Sequence, residues 1–158
     1  MRMSILALLV ALIFSVSAAG QKIQGVWSLT EITTTGPNGS TVQVSQPSVY
    51  IFTKKYYSVI YVSSNEARPQ IADLSKATAD ELRNVFVTSF VANAGMYEAK
   101  GGKLTFKPSV AKNPGFMQPG TFSTMSLKTD GNTMTLVSEG TNTGPAANPT
   151  TFKLKRVE

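Results

Sequence analysis

The sequence contains neither cysteine nor histidine. Without cysteine no disulfide can form, so the fold has to be stabilised by its hydrophobic core. Without thiol and imidazole groups, Cys–His and Ser–His catalytic arrangements are excluded, and so are zinc sites built from those side chains. A carboxylate calcium site would need spaced Asp or Asn residues closed by a Glu, and no loop has that pattern. We therefore expect no metal and no cofactor.

Long apolar runs are absent except at the N-terminus. Arg2 precedes an almost continuously apolar stretch over residues 4–14, and the small residues 15–20 follow it. This order is typical of a secretory signal peptide that is cleaved after Ala19 or Ala18. The apolar run is shorter than the roughly 20 residues of a membrane span, which disfavours the alternative of an uncleaved anchor. We predict a signal peptide over residues 1–19, a single domain over residues 20–158, and an exported protein, periplasmic or secreted.

Charge is sparse and scattered along the chain. There are 15 lysines and arginines against 9 aspartates and glutamates, giving a net charge of +6. The lysines recur near turns and at alternate strand positions, where they solvate a surface and protect sheet edges. A nucleic-acid surface would cluster them on one face between stacking aromatic residues. We expect no nucleic-acid partner, no stable membrane insertion after cleavage, and a monomer or weak dimer.

Most of the chain alternates short β-type segments with turns. Gly101-Gly102 and Asp130-Gly131 are strong hairpin signals, and Lys54-Lys55 separates two further strand-like segments. Eight or nine strands joined by short connections favour an antiparallel up-and-down sheet that closes into a barrel. The fold class is therefore mainly β, a barrel of eight to nine strands with one amphipathic helix. A β-sandwich is the alternative.

The helix is predicted over residues 79–92. Thr78 and Glu81 match a capping box, and apolar residues then recur at three-and-four spacing up to Phe90. Asn93-Ala94-Gly95 supplies a stop signal. Leu82, Phe86 and Phe90 would then pack against the sheet.

Several motifs, taken in order, resemble the bacterial lipocalin-like domain family. A Gly-x-Trp on the first strand pairs with a basic residue on the last strand in the lipocalin superfamily, where the cation can stack on the indole and close the barrel base. The matching residues are Gly25-Val26-Trp27 and Lys155-Arg156, supported by the hairpin over residues 50–61, Ala67-Arg68-Pro69, Gly95-Met96-Tyr97-Glu98 and residues 152–157. The resemblance implies a lipocalin or calycin-type barrel, with Trp27 and Arg156 in a structural role.

The candidate ligand-binding residues are amphipathic aromatic side chains and two charged groups. Strict alternation places Glu31 on the face of Trp27 and Leu29, where it would lie at the barrel mouth, at the surface or in a buried pair. Arg68 precedes a proline and could contact an anion at the rim or be a solvated loop charge. The tyrosines could grip an apolar ligand or simply pack in the sheet. The candidates are Glu31, Tyr50, Tyr57, Tyr61, Arg68, Tyr97, Phe106 and Phe122.

Three functions are compatible with these residues. The first is an exported barrel that binds a small apolar or amphipathic molecule. The second is a non-catalytic interaction or inhibitor module that acts through loops such as residues 140–149. The third is an isomerase or cyclase for a hydrophobic substrate, for which Glu31 with a tyrosine or Arg68 would supply an acid–base pair. No catalytic residue is assigned, because the sequence shows no catalytic constellation.

Overall fold

The computed structural model describes residues 23–88 and 90–158. The predicted signal peptide, residues 1–19, lies outside the described residues. Within them, ten strands form one antiparallel sheet. The strands are Gly25–Thr34 (β1), Ser40–Gln43 (β2), Ser48–Phe52 (β3), Tyr56–Val62 (β4), Phe90–Lys100 (β5), Lys103–Ala111 (β6), Ser123–Asp130 (β7), Thr133–Thr141 (β8), Gly144–Pro145 (β9) and Thr150–Arg156 (β10).

The sheet closes on itself through its last strand. Strands pair in the order β1, β3, β4, β5, β6, β7, β8, and β10 then pairs with both β8 and β1. This ring of eight strands leaves no open edge, as in other closed barrels. The predicted mainly-β, antiparallel up-and-down barrel is confirmed, and the β-sandwich alternative is wrong.

The two remaining strands, β2 and β9, continue the positions of β3 and β10 in the sheet after a short interruption. The register of Glu31 with Gln43 places β2 beside the second half of β1, while Trp27 pairs with Tyr50 of β3. β9 likewise pairs with the end of β8, ahead of β10. At the two interruptions, the hydroxyl oxygens of Ser48 and Ser138 accept hydrogen bonds from the backbone N–H groups of Leu29 and Thr150, at 2.8 and 2.7 Å. Serine hydroxyls thus replace missing ladder bonds.

Tight turns close one end of the barrel. Gly101 and Gly102 join β5 to β6 with φ of 58° and 74°, a left-handed conformation that glycine adopts without a Cβ penalty. Gly131, with φ of 54°, joins β7 to β8. Both predicted hairpins are therefore confirmed. The longer connections, over residues 63–89 and 112–122, lie at the opposite, open end.

The helix is shorter than predicted. The capping box is present, with Thr78 and Glu81 exchanging side-chain and backbone hydrogen bonds, and a helix (α1) spans Ala79–Leu82. The chain then widens into a π-helical turn over Arg83–Thr88 and enters β5 at Phe90. The prediction of helix to residue 92 is wrong because residues 90–96 pair with β4. Val85 is buried while Leu82 and Phe86 are exposed, so the prediction that Leu82 and Phe86 pack against the sheet is wrong.

Large side chains fill the closed end of the barrel. Trp27 is fully buried, and its indole Nε1 donates a hydrogen bond to the Ile23 carbonyl at 2.8 Å. The Arg156 guanidinium lies 4.1 Å from the indole centroid and donates to the Gln24 carbonyl at 2.7 Å. The core around them is made of apolar residues from every barrel strand except β7, among them Leu29, Phe52, Leu104, Met134, Leu136 and Leu154.

Replacing Trp27 by Ala should lower the free energy of unfolding by about 3–5 kcal/mol, since the substitution empties the centre of this end. Urea melts of the folded protein would measure the loss. Tyr56→Ala is the matched control, because Tyr56 is 57% exposed, and it should change stability by less than about 0.5 kcal/mol. A loss below about 1 kcal/mol for Trp27→Ala would contradict a core role.

Candidate functional site

Two adjoining cavities occupy the open half of the barrel. The larger, of about 440 Å³, opens at the end that carries the long connections. The smaller, of about 90 Å³, lies deeper among the aromatic side chains. We call them the outer cavity and the inner pocket. Five lining residues are common to both, so the two cavities lie side by side: Tyr61, Val91, Asn93, Ser123 and Met125.

Strand alternation brings the aromatic side chains into this space. On β4, Tyr57 and Val59 are buried and Tyr61 is half-buried, whereas Tyr56 and Ile60, at the alternate positions, are exposed. Period-two alternation therefore delivers every second residue to the interior. Phe106 of β6 packs edge-on against Tyr57 at 4.5 Å, and Phe152 of β10 packs edge-on against Tyr61 at 6.2 Å. These rings give the inner pocket an apolar wall.

Two tyrosines form a pair at the inner pocket. The rings of Tyr50 and Tyr61 stack with centroids 5.8 Å apart and an interplanar angle of 17°. Their phenols lie close enough to affect each other's ionisation. Burial raises the pKa of the Tyr50 phenol well above its usual range, and the nearby Tyr61 raises it further. Burial also raises the pKa of Tyr61, to about 12. Both phenols are therefore neutral hydrogen-bonding groups at physiological pH.

The mouth of the outer cavity is built from a turn and a loop. Residues 140–146, where β8 turns into β9, contribute one side, and Phe116 of a 3₁₀ turn over Pro114–Met117 contributes the other. An external groove of about 600 Å³ continues past Phe116 and runs beside Phe86 and Lys112. The loop 140–149, considered above as an interaction surface, is thus also part of the cavity wall.

Two cations hold the long connection between β4 and β5 in place. Arg68 donates from Nε and Nη2 to the Val85 carbonyl, at 3.0 and 2.7 Å, and its guanidinium lies 4.6 Å from the centroid of the Phe90 ring. Lys112 donates from Nζ to the Val87 carbonyl at 2.9 Å and to the Phe90 carbonyl. These contacts fasten the π-helical turn beside the cavity mouth.

Four of the predicted site residues meet at the inner pocket. Tyr50, Tyr57, Tyr61 and Phe106 all line it. Tyr97 lies nearer the closed end, where its hydroxyl donates to the Thr53 carbonyl at 2.6 Å and its ring packs edge-on against Phe52. Phe122 is exposed just before β7 and lines neither cavity. Four of the eight candidates therefore lie together at the inner pocket, and the other four lie elsewhere.

The two charged candidates lie outside the cavities. The register of β1 shifts between Leu29 and Glu31, so a β-bulge breaks the alternation and Ile32, not Glu31, joins the inner face. The expectation that Glu31 shares the face of Trp27 is therefore wrong. Its carboxylate instead pairs with the Lys153 ammonium at 2.8 Å, and Lys153 and Gln43 hold the pKa of Glu31 below its usual value. Arg68 is engaged with the Val85 carbonyl rather than placed at the cavity.

Several lining residues were not anticipated from the sequence. Val91 and Asn93 fall in the segment predicted to be helix and helix stop, and Ser123, Ser138 and Phe152 carry no local signal of their own. The first half of β5 could have been found only from its pairing with β4. Met125 of β7 lines both spaces.

No charged side chain of the described residues lines either cavity. Over that same part of the chain, no three acidic residues cluster in a way that could hold a metal ion. The walls consist of aromatic and aliphatic groups with neutral polar groups between them, including the Asn93 amide and the Ser123 and Ser138 hydroxyls. Such a site suits an uncharged ligand, because an ion would be desolvated without a counter-charge.

The raised tyrosine pKa values predict a loss of stability at alkaline pH. Tyrosine in an unfolded chain ionises near pH 10, whereas the folded state keeps Tyr61 protonated to about pH 12. The unfolded state therefore loses this proton first, and stability falls between about pH 10 and 12 but not below. Tyr61→Phe should reduce that slope by up to about 1.4 kcal/mol per pH unit in urea melts. An unchanged slope would show that Tyr61 ionises alike in both states.

Comparison with known proteins gives one structural match. A solved structure of a lipocalin-like protein from Bacteroides uniformis ATCC 8492 matches 85% of this chain and 98% of its own, with 17% sequence identity and a TM-score of 0.49. No protein-family model and no curated protein matches the chain. The assignment of the barrel itself rests on the strand order and register of this chain.

Proposed function

We propose that the protein binds one small, apolar or amphipathic molecule in the open half of its barrel. The observation that carries this proposal is the pair of adjoining cavities, the outer cavity and the inner pocket. Its outer part, about 440 Å³, falls within the range of roughly 300–1,000 Å³ typical of small-molecule sites. Apolar walls with a few neutral polar groups are also typical of such sites.

The uneven filling of the barrel supports this function. The closed end is packed with fully buried Trp27, Leu104 and Leu136, as interiors normally are. The open end has residues of the same strands around empty volume, and its aromatic side chains retain partial exposure there, as Tyr61 and Phe152 do. An interaction module would not need this space, so the cavity favours ligand binding over that alternative.

The isomerase or cyclase alternative loses its suggested acid–base pair. Glu31 lies on the outer face in an ion pair with Lys153, and Arg68 is bonded to a backbone carbonyl. Among the described residues, no carboxylate faces the outer cavity or the inner pocket. General acid–base catalysis there would depend on tyrosines whose pKa values are raised.

Binding is tested with the neutral fluorescent probe N-phenyl-1-naphthylamine. The folded protein should bind it saturably, and Tyr61→Ala should weaken binding about tenfold or more, because the substitution removes an aromatic wall of both cavities. Tyr56→Ala is the matched control, since Tyr56 lies on the same strand but points outward. Equal weakening by both substitutions, or no binding to the native protein, would contradict the proposal.

We also propose that the protein is exported and that residues 1–19 are removed on the way. The ordered leader in the sequence supports this. In the described part of the chain, no helix has the length and apolar character needed to cross a membrane. Intact-mass measurement of protein recovered from its host should give an N-terminus at Gly20 or Ala19. A mass that retains residues 1–18 would disprove the leader assignment.

A further inference from the structure

One residue that lines the inner pocket, Tyr57, has a buried hydroxyl without a hydrogen-bond partner. Tyr57 is only 3% exposed, and in the described structure its phenol oxygen neither donates nor accepts a hydrogen bond. Burial raises the pKa of this phenol, which keeps it neutral. A buried polar group that lacks a partner is costly and uncommon, so its presence in a cavity wall calls for a functional reason.

The other inward tyrosines differ from Tyr57. The Tyr97 hydroxyl donates to the Thr53 carbonyl at 2.6 Å, and the stacked Tyr50 and Tyr61 phenols influence each other. Among the described residues, the Tyr57 hydroxyl is the buried side-chain polar group that lacks any hydrogen-bond partner. Its ring packs edge-on against Phe106 with centroids 4.5 Å apart, which limits its movement.

The dimensions of the two spaces limit what that partner can be. The inner pocket, at about 90 Å³, has room for a few non-hydrogen atoms, given that a water molecule in the liquid occupies about 30 Å³. The outer cavity is several times larger and can hold a ring system or a branched hydrocarbon. Met125 lines both spaces, and its unbranched side chain can adjust around an inserted group.

We infer that the ligand is uncharged and carries a small carbonyl or hydroxyl end group, which enters the inner pocket first and pairs with the Tyr57 hydroxyl. The apolar body of the ligand then fills the outer cavity. An ionised end group is excluded by cost, because no charged side chain of the described residues lines either space. This inference rests on the proposed function and names the ligand class and the residue that selects it.

The test compares two probes of the same shape. 2-Acetylnaphthalene has a carbonyl oxygen where 2-isopropenylnaphthalene has a methylene group, and each is titrated as a competitor of N-phenyl-1-naphthylamine. The native protein should bind the ketone about 3–10-fold more tightly than the alkene, the range for one added hydrogen bond. Tyr57→Phe should abolish that preference, so that the ketone and the alkene bind with equal affinity. The anion 2-naphthoate should bind more weakly than the ketone.

Thermal melts of two variants separate a ligand-binding hydroxyl from a structural one. Tyr57→Phe removes an unpaired group and should leave the melting temperature unchanged or raised. Tyr97→Phe removes a paired hydroxyl at the closed end, so it should lower the melting temperature without altering the ketone preference. A preference that persists in Tyr57→Phe would overturn the inference while the proposed function stands. A native protein that binds none of the probes would overturn both.

Discussion

The barrel depends on the pairing of its first and last strands, and the contact of Trp27 with Arg156 fastens that pairing. β1 and β10 run side by side along most of their length, with Trp27 opposite Arg156. The indole is anchored to the Ile23 carbonyl and the guanidinium to the Gln24 carbonyl, so the start of β1 and the end of β10 are held at the same point. A cation stacked on a buried indole contributes more than at an exposed site, because water competes less. Without this closure the sheet would have two open edges.

The two ends of the barrel differ in how completely side chains fill them. The barrel has the same eight strands along its length, but tight turns narrow the closed end, while the connection over residues 63–89 and the loop over residues 112–122 lie at the open end. Strand alternation continues to place side chains inward, but at the level of the outer cavity small residues such as Val91, Asn93 and Ser138 alternate with larger ones. Smaller side chains around the same circumference leave volume unfilled. The cavity thus follows from residue size on a fixed scaffold.

The long connections shape the mouth through backbone hydrogen bonds. Arg68 and Lys112 each donate to carbonyls of the segment over residues 85–90. These cations reach across from the preceding loop and from the end of β6, so the π-helical turn is fixed from two sides. The exposed rings of Phe86 and Phe116 flank the groove that leads out of the outer cavity. The rim therefore has an apolar surface, while its backbone carbonyls accept hydrogen bonds from charged side chains. In this way a loop can border an apolar site without leaving these carbonyls unpaired.

The sequence by itself determined the strand-and-turn rhythm, the glycine hairpins, the capping box and the partnership of Trp27 with Arg156, because each depends on local backbone geometry or on an ordered motif. It also named Tyr50, Tyr57, Tyr61 and Phe106 among eight candidate ligand-binding residues, because aromatic side chains with a polar tip suit a cavity wall. Only the tertiary structure decided the rest. A bulge after Leu29 turned Glu31 outward, and pairing with β4 converted residues 90–92 from predicted helix to strand. Both outcomes depend on contacts between segments far apart in the chain, where the gain from strand pairing exceeds local preference. The cavity also depends on such contacts, because its volume is set by which side chains from different strands meet at one level of the barrel.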